Sequence, residues 1–121
     1  MTSYRLAKTR RIRRGEDFER IYGLRQRAGD HHLLVFAARN ELGLTRFGLS
    51  VSKKHGNAVK RTRIKRLLRE AFRLLQHELP AGLDLILIPR QNSGASLADY
   101  RRSLKNVVLR LVKKLPCGNG A

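Results

Sequence analysis

Histidine, carboxylate and cysteine side chains are the groups of this sequence that could carry acid–base, metal or nucleophilic chemistry. Their spacing forms no such site. The four histidines, at positions 31, 32, 55 and 77, include no i, i+4 pair and no cysteine partner at metal-ligand spacing. The nine carboxylates include no DxD or DxxE cluster for two-metal phosphodiester chemistry. Cys117 lies in a glycine-rich tail that would not hold a nucleophile rigidly. The sequence therefore predicts no catalytic site made of protein side chains.

Phosphate binding is the chemistry that the remaining charged residues favour. The 121 residues include 27 Lys or Arg and 9 Asp or Glu, which gives a formal net charge of +18. The basic residues cluster in 1–27, 53–73 and 101–114, and Glu70 is the only acid of the second cluster. A charge of this size destabilises a compact chain by self-repulsion unless a polyanion neutralises it. Its clustering predicts nucleic-acid-binding surfaces.

Composition narrows the class of protein further. A hydrophobic fraction of 41% indicates a folded domain rather than a disordered basic tail. One cysteine excludes a disulfide scaffold and suits the reducing cytoplasm. The longest apolar run, Leu33 to Ala38, is too short for a membrane span, and no apolar segment follows the basic N-terminus as in a signal peptide. We therefore expect one cytoplasmic domain over residues 1–121, with 1–12 and 116–121 flexible.

Strict alternation over residues 47–52 predicts a strand whose two faces differ. Apolar side chains alternate with Gly48, Ser50 and Ser52, so the small residues share one face. Small polar residues fill little core volume, and this face is therefore typical of a floor on which another group lies.

The other elements follow from helical or strand periodicity. A long helix that begins near Ala58 has one apolar and one cationic face, and Ser96 with Asp99 forms the cap of a last helix. The expected elements are a helix over 16–23, strands over 31–39 and 47–52, a helix over 58–77, a strand over 83–88 and a helix from 97. With a further strand from a piece that follows 31–39, the order α-β-β-β-α-β-α predicts an α+β layer of helices on one sheet.

The most informative segment runs from Gly48 to Phe72, with the sequence GLSVSKKHGNAVKRTRIKRLLREAF. It combines a strand, a tight turn at Gly56 and Asn57, and the start of the cationic helix. Amides at a helix N-terminus and guanidinium groups close to it both favour phosphate oxygens. The acids that usually alternate with bases on a solvated helix are missing, so a binding surface is favoured over an ordinary exposed face.

This segment closely resembles the signature of the bacterial ribonuclease P protein family, G-x-S-V-x-K-K…G-N-A-V-x-R-N-R-x-K-R-x-x-R-E-x-F. The resemblance extends from Arg14–Phe18 through the last helix and covers nearly the whole chain. One position departs from the pattern, because the Arg-Asn-Arg triplet of the family is Arg61-Thr62-Arg63 here. Thr62 keeps a short hydrogen-bonding side chain but lacks the amide that supplies both a donor and an acceptor.

The resemblance implies a single RNA-binding domain with a four-stranded mixed sheet packed by about three helices, a ribosomal-protein or ferredoxin-like α-β sandwich. It also implies a left-handed βαβ crossover around the cationic helix, whereas the general rule predicts a right-handed one. The implied activity is removal of the 5′ leader of precursor tRNA by a ribonucleoprotein that leaves a 5′ phosphate. In that assembly a catalytic RNA subunit, with Mg²⁺ bound mainly by the RNA, cuts the phosphodiester. The isolated protein is expected to be monomeric and to bind no cofactor.

The resemblance also assigns residues to two surfaces. One is a cleft of the sheet that binds the 5′ leader, where aromatic faces stack on unpaired bases regardless of sequence. The other is the cationic helix, which contacts the backbone of the catalytic RNA, with Arg61, Arg63 and Arg66 the strongest candidates. The leader-binding candidates are Phe18, Tyr22, Leu34, Phe36, Ser50, Ser52 and Lys54. The candidates for binding the RNA subunit are Arg61, Thr62, Arg63, Lys65, Arg66 and Arg69.

Two other hypotheses remain compatible with the residues alone. A structural RNA-binding protein of ribosomal type would share the charge pattern and the fold. A stand-alone ribonuclease would use His31 or His55 as acid and base. Purified protein tested on precursor tRNA, with and without the catalytic RNA, separates all three.

Overall fold

The computed structural model describes residues 5–115, and local sequence accounts for where its three helices begin. The first helix, α1 (Gly15–Gly23), has two acids in its first turn, where they face the positive end of the helix dipole. In α2 (Ala58–Leu75) the Asn57 side chain accepts a hydrogen bond from the Lys60 amide. In α3 (Leu97–Lys114) Ser96 and Asp99 form the predicted capping box.

Four strands form one mixed sheet: β1 (Arg27–Gly29), β2 (Leu33–Arg39), β3 (Arg46–Leu49) and β4 (Leu83–Pro89). Their order across the sheet is β1-β2-β4-β3. The β1–β2 and β2–β4 pairs are antiparallel, and β3 pairs in parallel with β4. Because α2 connects the two parallel strands, β3-α2-β4 is the predicted βαβ unit, and its left hand stays a prediction. The four-stranded mixed sheet and the element order are confirmed.

Two strand boundaries differ from the sequence-based expectation. The additional strand, β1, precedes β2 instead of following it, and the Asp30 carboxylate between them accepts hydrogen bonds from the His32 and Leu33 amides. This turn leaves the histidines at positions 31 and 32 outside β2. Strand β3 ends at Leu49, because Ser52 caps a 3₁₀ turn over Lys53–His55 and draws the chain out of the ladder.

The two faces of the sheet carry cores of different size. Alternate residues of β2 and β4 join Phe47 in the main core against α2 and α3, where Phe47 stacks on Phe72 with a centroid distance of 4.3 Å. The opposite face carries a small cluster in which Ile86 and Ala38 meet Ile12 and Ile21. Strand β4 is therefore buried on both faces, as its apolar run predicts.

The segment before α1 lies against the edge of the sheet. Arg11 forms a parallel bridge with Phe47, and the Ile12 amide donates to the Phe47 carbonyl oxygen at 2.8 Å. Ile12 is buried, with 3% of its surface exposed. Residues 8–12 thus pack where we expected part of a flexible end. The expectations for 1–4 and 116–121, including Cys117, fall outside the described residues.

Candidate nucleic-acid interface

The face of the sheet opposite the main core, which carries the small cluster around Ile86, is only partly covered by α1. The Phe18 ring lies directly over Gly48, where a Cβ atom would stand 2.6 Å from the ring atom Cζ. This close approach explains why the strand predicted to be a floor has glycine at this position. The Phe18 ring is therefore seated on the sheet and remains half-buried at the rim of the uncovered part.

Three aromatic side chains line this end of the cleft. The Tyr22 ring lies edge-on to Phe36 of β2 at a centroid distance of 4.9 Å, and 6.4 Å from Phe18. The Arg27 guanidinium lies 5.8 Å from the centroid of the Phe36 ring. All three rings are half-buried, so each keeps surface on which an unpaired base can stack.

Beyond the aromatic residues the cleft continues as a groove of about 380 Å³. It contains four of the predicted leader-binding residues, Leu34, Ser50, Ser52 and Lys54. The Ser50 amide donates to the Leu87 carbonyl oxygen at 3.0 Å, so the chain stays beside β4 after β3 has ended. Five further residues line this groove and were not indicated by the sequence: His55, Ile88, Pro89, Arg90 and Gln91.

A buried carboxylate on β4, Asp84, holds α1 in place over the sheet. Arg46 of β3 donates to it from Nε at 2.9 Å and from Nη2 at 2.8 Å. Arg20 of α1 donates to Oδ2, and the Asn40 amide donates to Oδ1 at 2.7 Å. These four residues, the Asp84 cluster, join α1 to three points of the sheet. They fix the helix that carries two of the aromatic residues of the cleft.

Electrostatics and burial oppose each other at Asp84. Burial by itself raises the pKa of this carboxyl group, whereas the hydrogen bonds from Arg46, Asn40 and Arg20 lower it and prevail. The pKa of Asp84 therefore lies below its usual value, and the group is ionised at neutral pH. The sequence signal for this cluster was Asp84 itself, the one acid within the strand predicted over 83–88.

The cationic helix α2 presents its predicted residues on two flanks. Thr62, Arg63 and Arg66 surround a depression of about 460 Å³ together with Ala58 and Val59. A residue advances about 100° around a helix, so positions 61, 65 and 69 lie on the neighbouring flank. The six predicted residues thus occupy one continuous side of α2 rather than a single pocket.

Folding joins two basic clusters that are separate along the chain. Gln76 at the end of α2 donates from Nε2 to the Arg5 carbonyl oxygen at 3.3 Å, which places the N-terminal basic segment beside α2, and burial together with repulsion from Arg69 and Arg13 lowers the pKa of Arg11. The Arg11 guanidinium also lies 5.1 Å from the centroid of the Phe47 ring. The helix surface therefore continues onto the segment before α1, a continuity that the sequence does not reveal.

The basic side chains of 53–69 form no ion pair within residues 5–115. Acids pair instead with bases elsewhere, as Glu70 does with Arg73 and Glu78 with Lys105. On α3 the Arg110 guanidinium donates to the Gly29 carbonyl oxygen at 2.7 Å, so part of the third basic cluster supports the fold. Residues 53–69 therefore carry a dense run of positive charge that no carboxylate of residues 5–115 neutralises.

The histidines form no catalytic arrangement in the described part of the chain. His55 Nδ1 accepts from the Ser52 amide at 3.0 Å, and Nε2 lies 2.7 Å from the Pro89 carbonyl oxygen, so both ring nitrogens are engaged. His31 and His32 lie edge to face at 4.9 Å rather than on opposite faces of a strand. Residues 5–115 hold no group of three or more His, Cys, Asp or Glu side chains suited to a metal ion. Over the same residues, no helix is both long and apolar enough to cross a membrane.

The Gly48→Ala substitution is expected to lower the free energy of unfolding by about 1–3 kcal/mol, because the new methyl group displaces the Phe18 ring. Urea denaturation measures the change. Gly15→Ala is the matched control, since its Cβ meets nothing within 4 Å at the start of α1. Equal stability of the two variants would contradict the seating of Phe18 on the sheet.

Comparisons with known proteins agree with this architecture. The family model described as Ribonuclease P matches residues 6–112. The ribonuclease P protein component of Syntrophus aciditrophicus is 40% identical over 105 residues, covering 86% of this chain and 88% of that protein. That of Desulfovibrio desulfuricans is 38% identical over 121 residues, covering 96% and 93%.

Solved structures agree with the sequence relatives. The RNase P protein of Staphylococcus aureus superposes with a TM-score of 0.74 at 36% identity, over 88% of this chain and 97% of that one. The RNase P protein of Thermotoga maritima superposes with a TM-score of 0.72 at 29% identity, over 83% and 96%. With a family model that spans most of its length, and relatives of matching length and fold, this chain belongs to the bacterial ribonuclease P protein family, the protein component in tRNA 5′ processing.

Proposed function

We propose that this protein binds the catalytic RNA subunit of ribonuclease P through α2 and the 5′ leader of precursor tRNA through the cleft of the sheet. The RNA subunit supplies the active site, which cuts the phosphodiester and leaves a 5′ phosphate on the tRNA. The observation that carries the proposal is the separation of two surfaces: an aromatic cleft on one side, and a helix with uncompensated positive charge on the other.

The chemistry of the cleft supports a single-stranded ligand of variable sequence. Phe18, Tyr22 and Phe36 offer ring surface to unpaired bases, and stacking on such surface tolerates any base. The hydroxyl groups of Ser50 and Ser52 and the ammonium group of Lys54 follow along the same groove. This sequence of stacking and polar positions suits a leader that differs between tRNAs.

The chemistry of α2 supports binding to a folded RNA backbone. Arg61, Arg63, Lys65, Arg66 and Arg69 have no carboxylate partner among the described residues, so their charge is available to phosphate oxygens. Thr62 lines the same depression as Arg63 and Arg66, where its hydroxyl group can both donate and accept a hydrogen bond.

The distribution of carboxylates supports catalysis by the RNA. Seven of the nine acids, all of which lie within residues 5–115, form ion pairs or hydrogen bonds, as Asp84 does with Arg46 and Asp99 does with the Ser96 cap; Glu19 and Glu41 are the exceptions. The described side chains therefore do not fit a Mg²⁺ site, and we assign Mg²⁺ to the RNA subunit. We further infer that the isolated protein is a monomer, because its net charge opposes self-association, and that it acts in the cytoplasm.

Reconstitution tests the proposal. Purified protein alone is expected to leave precursor tRNA uncut, and addition of the catalytic RNA at low Mg²⁺ is expected to give cleavage at the mature 5′ end. Cleavage by the protein alone that His55→Ala abolishes would favour a stand-alone ribonuclease. Failure to bind or stimulate the catalytic RNA would favour a purely structural RNA-binding protein.

A further inference from the structure

A second groove, of about 460 Å³, lies between the start of α2 and the loop that follows β4. Of the site residues predicted from the sequence, only Arg63 lines this groove. Asn92 and Gly94 shape the loop wall, since both have positive φ angles, of 56° and 63°. The groove is large enough to hold a small organic group of the size of one nucleotide.

The lining combines the two kinds of surface that a nucleotide requires. Lys60, Arg63 and Arg90 contribute positive charge, and no acid is among the described residues that line the groove. Ile64 and Leu67 of α2 supply an apolar wall. Cations beside an apolar wall suit a phosphate attached to a base, because the phosphate takes the charge and the base takes the apolar surface.

This second groove is continuous with the cleft. His55 and Arg90 line both the 380 Å³ groove of the cleft and the second groove, so two side chains form the ridge between them. Both are held in place: His55 Nε2 lies 2.7 Å from the Pro89 carbonyl oxygen, and Arg90 Nε donates to the Asp30 carbonyl oxygen at 3.2 Å. A strand that leaves Ser52 and Lys54 therefore meets a positively charged ridge and then the second groove.

We propose that the second groove binds a further nucleotide of the same 5′ leader after the strand crosses His55 and Arg90, with Lys60 and Arg90 on its phosphate and Ile64 and Leu67 against its base. This proposal rests on the leader-binding function proposed above. The leader is favoured over the RNA subunit as the source of the nucleotide because the groove continues the cleft. The depression around Thr62 and Arg66 shares only Arg63 with the second groove, whereas the cleft shares both His55 and Arg90 with it.

Photocrosslinking in the reconstituted holoenzyme tests the path of the strand. 4-Thiouridine is placed at single positions along the leader, and the crosslinked peptide is identified by mass spectrometry. We expect the crosslinks to move from Leu34 and Phe36 in the cleft to residues 91–95 as the label moves along the leader. Crosslinks confined to the cleft would overturn this proposal and leave the proposed function intact. An absence of leader crosslinks to the protein would overturn the proposed function itself. Crosslinks of residues 91–95 only to labelled RNA subunit would overturn the assignment to the leader.

Affinity measurements supply a second test, with Lys60→Met as the variant. Methionine keeps an unbranched side chain over Gly56, where the Lys60 stem packs, and removes only the charge. We expect about five-fold weaker binding of the holoenzyme to precursors whose leader reaches the second groove, from the loss of one phosphate contact. Binding to precursors with leaders too short to reach it should be unchanged.

Lys113→Met is the matched control. Lys113 is exposed near the end of α3, and its replacement by methionine changes the net charge by the same amount. It is expected to leave binding of both precursors unchanged. An equal effect of Lys60→Met on long and short leaders would contradict the second groove as a leader site.

Discussion

Replacing Asp84 by alanine is expected to lower the free energy of unfolding by about 3–5 kcal/mol. The carboxylate is fully buried and accepts hydrogen bonds from Arg46, Arg20 and Asn40. Removing it leaves the two guanidinium groups with only the more distant Asp17 carboxylate, 3.7 Å from Arg20 and 3.9 Å from Arg46, and leaves the Asn40 amide without one of its acceptors. Because Arg20 belongs to α1, we also expect the helix to loosen over the cleft and the preference for precursor over mature tRNA to fall. Urea denaturation measures the first effect, and binding to the reconstituted holoenzyme measures the second.

The control is a solvent-exposed ion pair between a carboxylate and an arginine. Glu16 pairs with Arg14 at 3.3 Å with both side chains more than two-thirds exposed, at 72% and 78%. Glu16→Ala should change the free energy of unfolding by less than about 0.5 kcal/mol, since solvent screens such pairs. If the two variants were equally stable, the structural role of the Asp84 cluster would be wrong.

The same cluster makes stability depend on acid pH. A carboxyl group whose pKa is lowered by folding stabilises the protein above its unfolded pKa, which is about 3.9 for Asp. That contribution is lost as the pH falls through the lower pKa of the folded state. The unfolding free energy of the wild type is therefore expected to fall below about pH 4. In Asp84→Ala the fall should be shallower, because only the other carboxyl groups with lowered pKa values, such as Asp30, Glu70 and Asp99, remain.

Arg66→Ala and Phe18→Leu are expected to impair different steps of the same reaction. Arg66 is exposed on α2 without a carboxylate partner among residues 5–115, so its loss should weaken binding of the catalytic RNA about ten-fold. The salt dependence of that binding should fall by about one counterion. Phe18→Leu keeps apolar volume over Gly48 but removes the ring, so it should reduce the preference for precursor over mature tRNA by about five- to ten-fold.

Each variant is the control for the other in this comparison. Arg66→Ala should leave the precursor preference of the assembled holoenzyme unchanged once the RNA is saturating. Phe18→Leu should bind the catalytic RNA with the affinity and salt dependence of the wild type. If each variant affected both measurements to the same extent, the two surfaces would not be separate binding sites.

Helices were predictable from sequence because their signals are local. The Ser96–Asp99 capping box and the acids at the start of α1 act within one helical turn, and the structure confirms them. The boundaries of strands were less predictable, because strand pairing depends on distant partners. The 3₁₀ turn over Lys53–His55 ended β3 three residues before the expected Ser52, through a hydrogen bond from His55 to the far end of β4.

The candidate site was likewise only partly predictable from the sequence. The resemblance assigned both sets of site residues by position, and the structure places Leu34, Ser50, Ser52 and Lys54 around one groove. It did not indicate the wall formed by His55 and Arg90, which lie 35 residues apart in the chain. The hydrogen bond between His55 and the Pro89 carbonyl oxygen, which sets His55 next to this end of β4, depends on the parallel pairing of β3 with β4.

By itself, the sequence determined the helices, the class of fold, the excess of positive charge and the scarcity of carboxylates, because each depends on residue type and short-range spacing. Tertiary structure alone decided which charges are neutralised. Asp84 is hidden in an apolar strand, and its donors come from positions 20, 40 and 46, brought together only when the strands pair and α1 docks. Tertiary structure likewise brought Arg11 beside Arg69 and set the second groove next to the cleft. The physical reason is that burial and charge pairing depend on distance in space, which periodicity along a chain does not encode.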